Sequence, residues 1–429
     1  MKNRIRITVW GLVSLSAGYV YLLAETTPIG QNIIIKENPL IDIEMEQGRT
    51  LQYLNKLRVG AGLIPLVLNK KLESAAKSHA SYLIKNGLIG HYQDKNRKGF
   101  TGVYGSQRSI SAGYETSMVI ENISNNNFTY KESVDGLMAA IYHRFGFLDF
   151  HIDEIGIGVL QSKRDRSQTA FVYDMGSRTL VNLCKNKNKI NLDIYLDYLE
   201  NICIDENRKV ELNTFNETLH KNRYRNRKII TYPFAGQEDI PPAFYDELPD
   251  PLPDYSVSGF PISISFNESY FKSIDMISFE IFDQSDTQIK NRVIYSQKTD
   301  PNRKLKKFEY ALFPLKRLEW GSIYRVKVVY EADGKIKREE WKFKTRDFKT
   351  PVKNVTADNH HFKIRKGESN VFYFPPKSKN DILGSLKYPA SLDISFIDKN
   401  TIALVANTTH TEMLILKIGA NKLQLDIEN

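Results

Sequence analysis

Leu51, Leu54 and Leu57 fall on one side of a helix before Gly60 and Gly62 interrupt the pattern, which predicts a short helix followed by a turn. The period then strengthens. Leu72, Ala75, Ala76, His79 and Leu83 share one stripe, Lys77 and Ser78 fall off it, and Gly87 supplies a stop, so an amphipathic helix is expected there. Thr129 and Glu132 have capping-box spacing, and Val134, Leu137, Met138 and Ile141 follow at helical intervals, predicting a third helix that ends near Arg144. The period next falls to two: Ile155, Ile157 and Val159 alternate, as do Phe171 and Tyr173. Helices followed by strands make residues 45–180 an α+β unit.

Between 181 and 254 the pattern weakens into Asn and Lys clusters, a helix expected near Leu192 to Leu199, and the prolines 233, 241, 242, 249, 251 and 253. This reads as a linker with a Pro-rich, semi-rigid end. Beyond it, Ile262, Ile264 and Phe266, then Ile277, Phe279 and Ile281, then Tyr324, Val326, Val328 and Tyr330 alternate as half-buried strands. Asp333-Gly334 before Trp341, Phe343 and Thr345 is a hairpin signal. Residues 255–347 are therefore expected to form a β-sandwich, Ig-like in type. Leu392, Ile394 and Phe396, Ile402 and Leu404, and Leu423, Leu425 and Ile427 predict a small all-β unit over 351–429.

The length of 429 residues agrees with about three such units. Apolar residues make up 41% and charged residues 26%, a balance that excludes bulk disorder. The net charge of +10 favours anionic partners. Its densest stretches, Lys185 to Lys189 and Lys221 to Lys228, lack an RRM, helix-turn-helix or zinc-finger context and read as solvated linker, with no specific nucleic acid implied.

Lys2, Arg4 and Arg6 precede an uncharged run of 18 residues, Ile7 to Ala24. Residues 1–25 thus read as an export signal, either cleaved or kept as a membrane anchor. No cysteine follows for lipid attachment. Export would place Cys184 and Cys203 in an oxidising compartment, where one disulfide is favoured over two buried thiols. The expected location is periplasmic, cell-surface or secreted, with the membrane met only through the N-terminal segment.

Seven ordered blocks carry a family resemblance: Leu54-Asn55-Lys56-Leu57-Arg58, the Leu72-to-His79 helix, Gly90-His91-Tyr92-Gln93, Ala112-Gly113-Tyr114, Glu121-Asn122-Ile123, His143-Arg144 and Ile155-Gly156-Ile157-Gly158. Over residues 45–180 the chain resembles the bacterial branch of the CAP superfamily, the SCP-like group that includes cysteine-rich secretory and pathogenesis-related proteins. The resemblance implies an α-β-α sandwich and a cleft lined by His91, Glu121 and His143. A second cleft acid has no matching motif; Glu115 and Asp135 are the nearest carboxylates in sequence.

Two imidazoles and a carboxylate suit a divalent metal such as Zn²⁺, with His91 and His143 as ligands, or a proton relay near neutral pH. His79, on an apolar stripe, reads as a hydrogen-bonded core histidine, His151 as a solvated loop residue, and His360-His361 as a surface pair. No phosphate loop, H-E-x-x-H helix or G-x-S-x-G elbow occurs, and no catalytic set is assured. The leading expectation is an exported cleft-binding protein for a small lipid-like or cell-wall-derived ligand, with or without metal. The alternatives are a metal-dependent hydrolase or peptidase, and a non-catalytic adhesion or structural envelope protein.

Overall fold

A computed structural model describes residues 40–186, 195–383, 388, 391–407, 413–418 and 421–429. The N-terminal signal or anchor, part of the Lys185 stretch and the start of the helix expected at Leu192 lie outside these residues. Within them, no helix is long and apolar enough to cross a membrane.

Helix α1 runs Ile43–Ala61, longer than its leucine pattern suggested, because Asp42 caps its start by accepting from the Met45 N–H and Gly62 ends it at φ 98°. Helix α2 spans Lys70–Asn86 between the Asn69 cap and Gly87. A short helix α3, Gly105–Ser111, follows. The third expected helix is two. Thr129 accepts from the Glu132 N–H at the start of α4, Tyr130–Ala139, and extended backbone at Ala140 (ψ 111°) then separates α4 from α5, Ile141–Phe147. That break turns His143 away from the axis of α4.

These helices flank a four-stranded sheet of β1 (Val67–Leu68), β2 (Ile120–Asn125), β3 (Glu154–Gln161) and β4 (Thr169–Gly176), in the order β1-β3-β4-β2. Alternation along β3 explains the layering. Ile155, Ile157 and Val159 pack with Leu54 and Leu57 of α1 and Val134 and Met138 of α4. Gly156 and Gly158 face α2 so closely that a Cβ on Gly156 would lie 2.0 Å from the Leu72 carbonyl carbon. Helices therefore cover both faces, and β2 is an open edge.

The expected linker is structured where described. Helix α6 (Arg178–Lys185) carries Cys184 in its last turn, disulfide-bonded to Cys203, a closure of about 3 kcal/mol on the chain-entropy account. Tyr198–Leu199, expected as the end of a helix, is a short strand, and the helix in this region is α7, Leu212–Arg223. Ile229–Tyr232 and Gln237–Ile240 are strands of the next unit, pairing with Ile262–Phe266 and Lys335–Thr345. Each is only four residues long, too short to register as a period.

That unit has two four-stranded sheets. One is ordered Arg292–Ser296, Glu309–Pro314, Ile262–Phe266, Ile229–Tyr232; the other Ile274–Phe282, Ile323–Ala332, Lys335–Thr345, Gln237–Ile240. Ile264 and Phe266 from the first share a core with Phe279, Val326 and Trp341 from the second. Asp333 and Gly334 turn the hairpin at φ 49° and 78°. The same core runs on without a break into the helix-and-sheet unit, where it includes Leu57, Met138 and Phe147. The last unit, from Val352, has a four-stranded and a three-stranded sheet around its own core, including Phe372, Leu404 and Leu425.

Candidate functional site

The site is assembled around the free edge of β2. Glu121 and Asn122 lie next to each other on that strand and so point to opposite faces of the sheet. On one side, Glu121 Oε1 lies 2.9 Å from Nδ1 of His91, in the loop after α2. Arg108 of α3, fully buried, donates to Glu121 Oε2. On the other side, the Asn122 side-chain amide donates to the His143 carbonyl at 2.8 Å and holds α5 against the strand. The two imidazoles meet at the edge, with ring centroids 6.1 Å apart and planes 17° from parallel. The structure thus brings His91, Glu121 and His143 together.

The second acid is neither Glu115 nor Asp135. Asp135 is held by Tyr53, Lys131 and Arg346 at the boundary with the β-sandwich. The carboxylate beside His143 is Glu247, from the Pro-rich segment. Its Oε1 sits 2.8 Å from His143 Nδ1 and accepts the backbone N–H groups of Tyr142 and His143 at 2.8 and 3.2 Å. Its side chain has no exposure, and Oε2 has no hydrogen-bond partner among the described residues. The segment is seated by Phe244 and Leu252, which pack with Ile141, Phe145 and Phe313.

Two matched pairs result, His91–Glu121 and His143–Glu247. In each, a carboxylate lies at Nδ1 and fixes the ring's orientation, leaving Nε2 as the nitrogen turned away from it. No hydrogen bond to either Nε2 is found among the described residues. Burial opposes ionisation of Glu121, but the His91 hydrogen bond and the Arg108 charge outweigh it and hold its carboxyl below the usual range. The His91 ring is 42% exposed, so solutes can reach it; Ile89 and Tyr92 are exposed beside it in sequence, and exposed Tyr104 packs against Tyr92.

His79 is a core histidine with a specific task. It is fully buried, its Nε2 bonds the Gly90 carbonyl at 3.1 Å, and its Nδ1 faces the Gln93 amide at 3.0 Å. These contacts bracket His91 and fix its loop. Burial, chiefly, lowers the His79 pKa to about 4. His151 departs from the solvated-loop expectation: it bonds Asp149 at 2.7 Å and accepts from Arg223. His360 and His361 are a surface pair, bonded to the Ala357 carbonyl and Asp426.

A sheet covered by helices on both faces, with paired imidazoles at its open edge, defines the class of domain. Residues 51–175 match the family model described as CAP, the cysteine-rich secretory protein family, so the chain carries a CAP domain in its N-terminal part. Among solved structures it is similar to an outer surface protein of Borrelia burgdorferi, at 21% identity, covering 32% of this chain and 96% of that one with a TM-score of 0.28. An extracellular SCP-domain protein of Bacillus anthracis matches at 15% identity, over 33% of this chain and 45% of that chain, with a TM-score of 0.28. A cysteine-rich secretory protein of Staphylococcus aureus matches at 16%, over 32% and 41%, with a TM-score of 0.21. The chain thus spans less than half the length of the latter two. No curated protein matches it.

The donor set suits a divalent metal in one respect: two imidazoles offer Nε2 atoms from rings backed by carboxylates. Both Glu121 oxygens are already engaged, so Glu121 stands behind His91 and is not itself a ligand. No group of three or more His, Cys, Asp or Glu side chains with metal-ligand geometry occurs among the described residues.

Proposed function

We propose that this chain is an exported envelope protein whose CAP domain binds a small ligand, lipid-like or derived from the cell wall, at the edge of β2, with a divalent metal on His91 and His143 as the polar anchor. The observation that carries this reading is the pair of histidine–carboxylate contacts, which preset two Nε2 atoms at one accessible edge. Exposed Ile89, Tyr92 and Tyr104 supply apolar surface near His91. Export is supported by the charged start and apolar run at the N-terminus and by the Cys184–Cys203 disulfide. The β-sandwich, Ig-like in this reading, and the terminal β unit present the domain outside the cell.

Binding is favoured over turnover because a hydrolytic zinc site uses three protein ligands around an activated water, and this edge offers two imidazoles. Calorimetric titration of the purified protein with Zn²⁺ tests the reading. Stoichiometric binding is expected for the natural chain and its loss in the His91→Ala/His143→Ala double variant. Unchanged stoichiometry in that variant would overturn the metal assignment, and unchanged affinity for a wall or lipid ligand would remove the cleft as its binding site.

A further inference from the structure

We infer that Asp174 keeps its proton and donates it to Glu121, acting as the positioning residue behind the His91 pair. Every residue of β4 is buried, and Asp174 is fully so. Strand register puts it directly opposite Glu121 on β2 and opposite Gly156 on β3, so the two carboxyl groups share the α2 face of the sheet as neighbours. Gly156 has no side chain to offer. Neither Asp174 oxygen has a hydrogen-bond donor among the described residues.

The charged and titratable groups around this pair are Arg108 on α3, His79 on α2 and His91 in the loop after α2. Arg108 is committed to Glu121 Oε2. Two ionised carboxylates side by side in a buried site would face that one guanidinium, whereas a single proton on the pair removes the repulsion. Glu121 accepts from His91 and Arg108 and is the ionised member; Asp174, with no donor of its own, is the protonated one. Burial, reinforced by the Glu121 charge, pushes the Asp174 carboxyl well above the usual range. An unpartnered buried acid thereby becomes a donor, and the orphaned oxygens are accounted for.

The consequence deepens the reading of the cleft and rests on it only at this step. With Asp174 as donor, Glu121 is fixed from three sides, by His91, Arg108 and Asp174, and holds the His91 ring in one orientation.

The full-length protein decides the matter without any ligand. With ¹³C-labelled aspartate, one carboxyl is expected to remain protonated at pH 8, and its signal to vanish in Asp174→Asn, whose amide supplies the same hydrogen bond. Because the folded chain must hold a proton that the unfolded chain releases above about pH 4, the folding constant of Asp174→Asn should gain on that of the natural chain about tenfold per pH unit through the neutral range. The absence of a protonated aspartate at pH 8 would overturn the inference. So would an Asp174→Asn variant less stable by the same factor at every pH. If Asn at this position does not fold, the natural chain's spectrum alone decides. Failure of the Zn²⁺ titration leaves these readouts untouched, so the two proposals fail separately.

Discussion

Each of the motif residues does a different job. In Glu121-Asn122 the first side chain orients one imidazole and the second pins the backbone of the other. In His143-Arg144 the histidine reaches the edge while the arginine turns inward, donating to Met138 and Pro261 carbonyls at 2.6 and 2.7 Å. Three site residues were legible in the sequence because they stand in recognisable blocks. Glu247 was not, since it lies 104 positions beyond His143 in a stretch with no period. Nor was Asp174, whose one signal is a carboxyl in an otherwise apolar strand. Glu247→Ala would strip the acceptor from the His143 ring and from two backbone N–H groups. We expect Zn²⁺ affinity to fall about 10–100-fold, the usual effect of losing such an orienting partner, with Glu247→Gln intermediate. Calorimetry on both variants checks this, and equal affinity in all three proteins would show that Glu247 does not orient the ring.

At the level of elements, periodicity located the long amphipathic pieces and missed what tertiary contacts decide. The break at Ala140 carries no Gly or Pro; α5 turns because Ile141 and Phe145 are buried against Phe244 and Phe313 and not against the sheet that holds Val134 and Met138. Ile229–Tyr232 pairs with a strand more than thirty residues further on, and a four-residue strand gives alternation too little length to show. By contrast, the glycines of β3 are readable in retrospect as the seat of α2. Gly156→Ala would drive a Cβ into helix backbone, where no side chain can yield. We expect a loss of about 3 kcal/mol, measured by urea unfolding at neutral pH; a loss below about 0.5 kcal/mol would mean that α2 can lift from the sheet freely.

Across the whole molecule, the CAP domain and the β-sandwich do not separate into independent units. Their cores are continuous, and Arg144 is buried at the join, its guanidinium 5.0 Å from the Tyr232 ring and 4.8 Å from that of Phe260. Asp149 binds Lys306 across the same boundary. The terminal β unit has a separate core and touches the rest through polar and cation–π contacts, such as Arg317 with Asp398 and the Tyr373 ring, and Lys399 with Asp246 and the Tyr245 ring. Removing residues 351–429 should therefore leave a chain that unfolds in one cooperative transition, whereas ending it at 224 should abolish that transition by exposing Ile141, Phe145 and the uncompensated charge of Arg144. Calorimetric scans of the two truncated chains test this. A cooperative transition from the shorter one would show that the CAP domain stands alone.

The placement of Glu247 also sets an order in time. His91, Glu121 and His143 leave the ribosome first, and at about 5–20 residues per second the 104 residues separating His143 from Glu247 take roughly 5–20 s to follow. Until the sandwich that completes the shared core has been made, the nascent chain holds neither imidazole in place, and His143 also lacks its carboxylate. Any ligand that needs both is recognised only after synthesis has passed the sandwich's first strands, so the finished site doubles as a report that the chain has been made and folded well beyond its N-terminal domain.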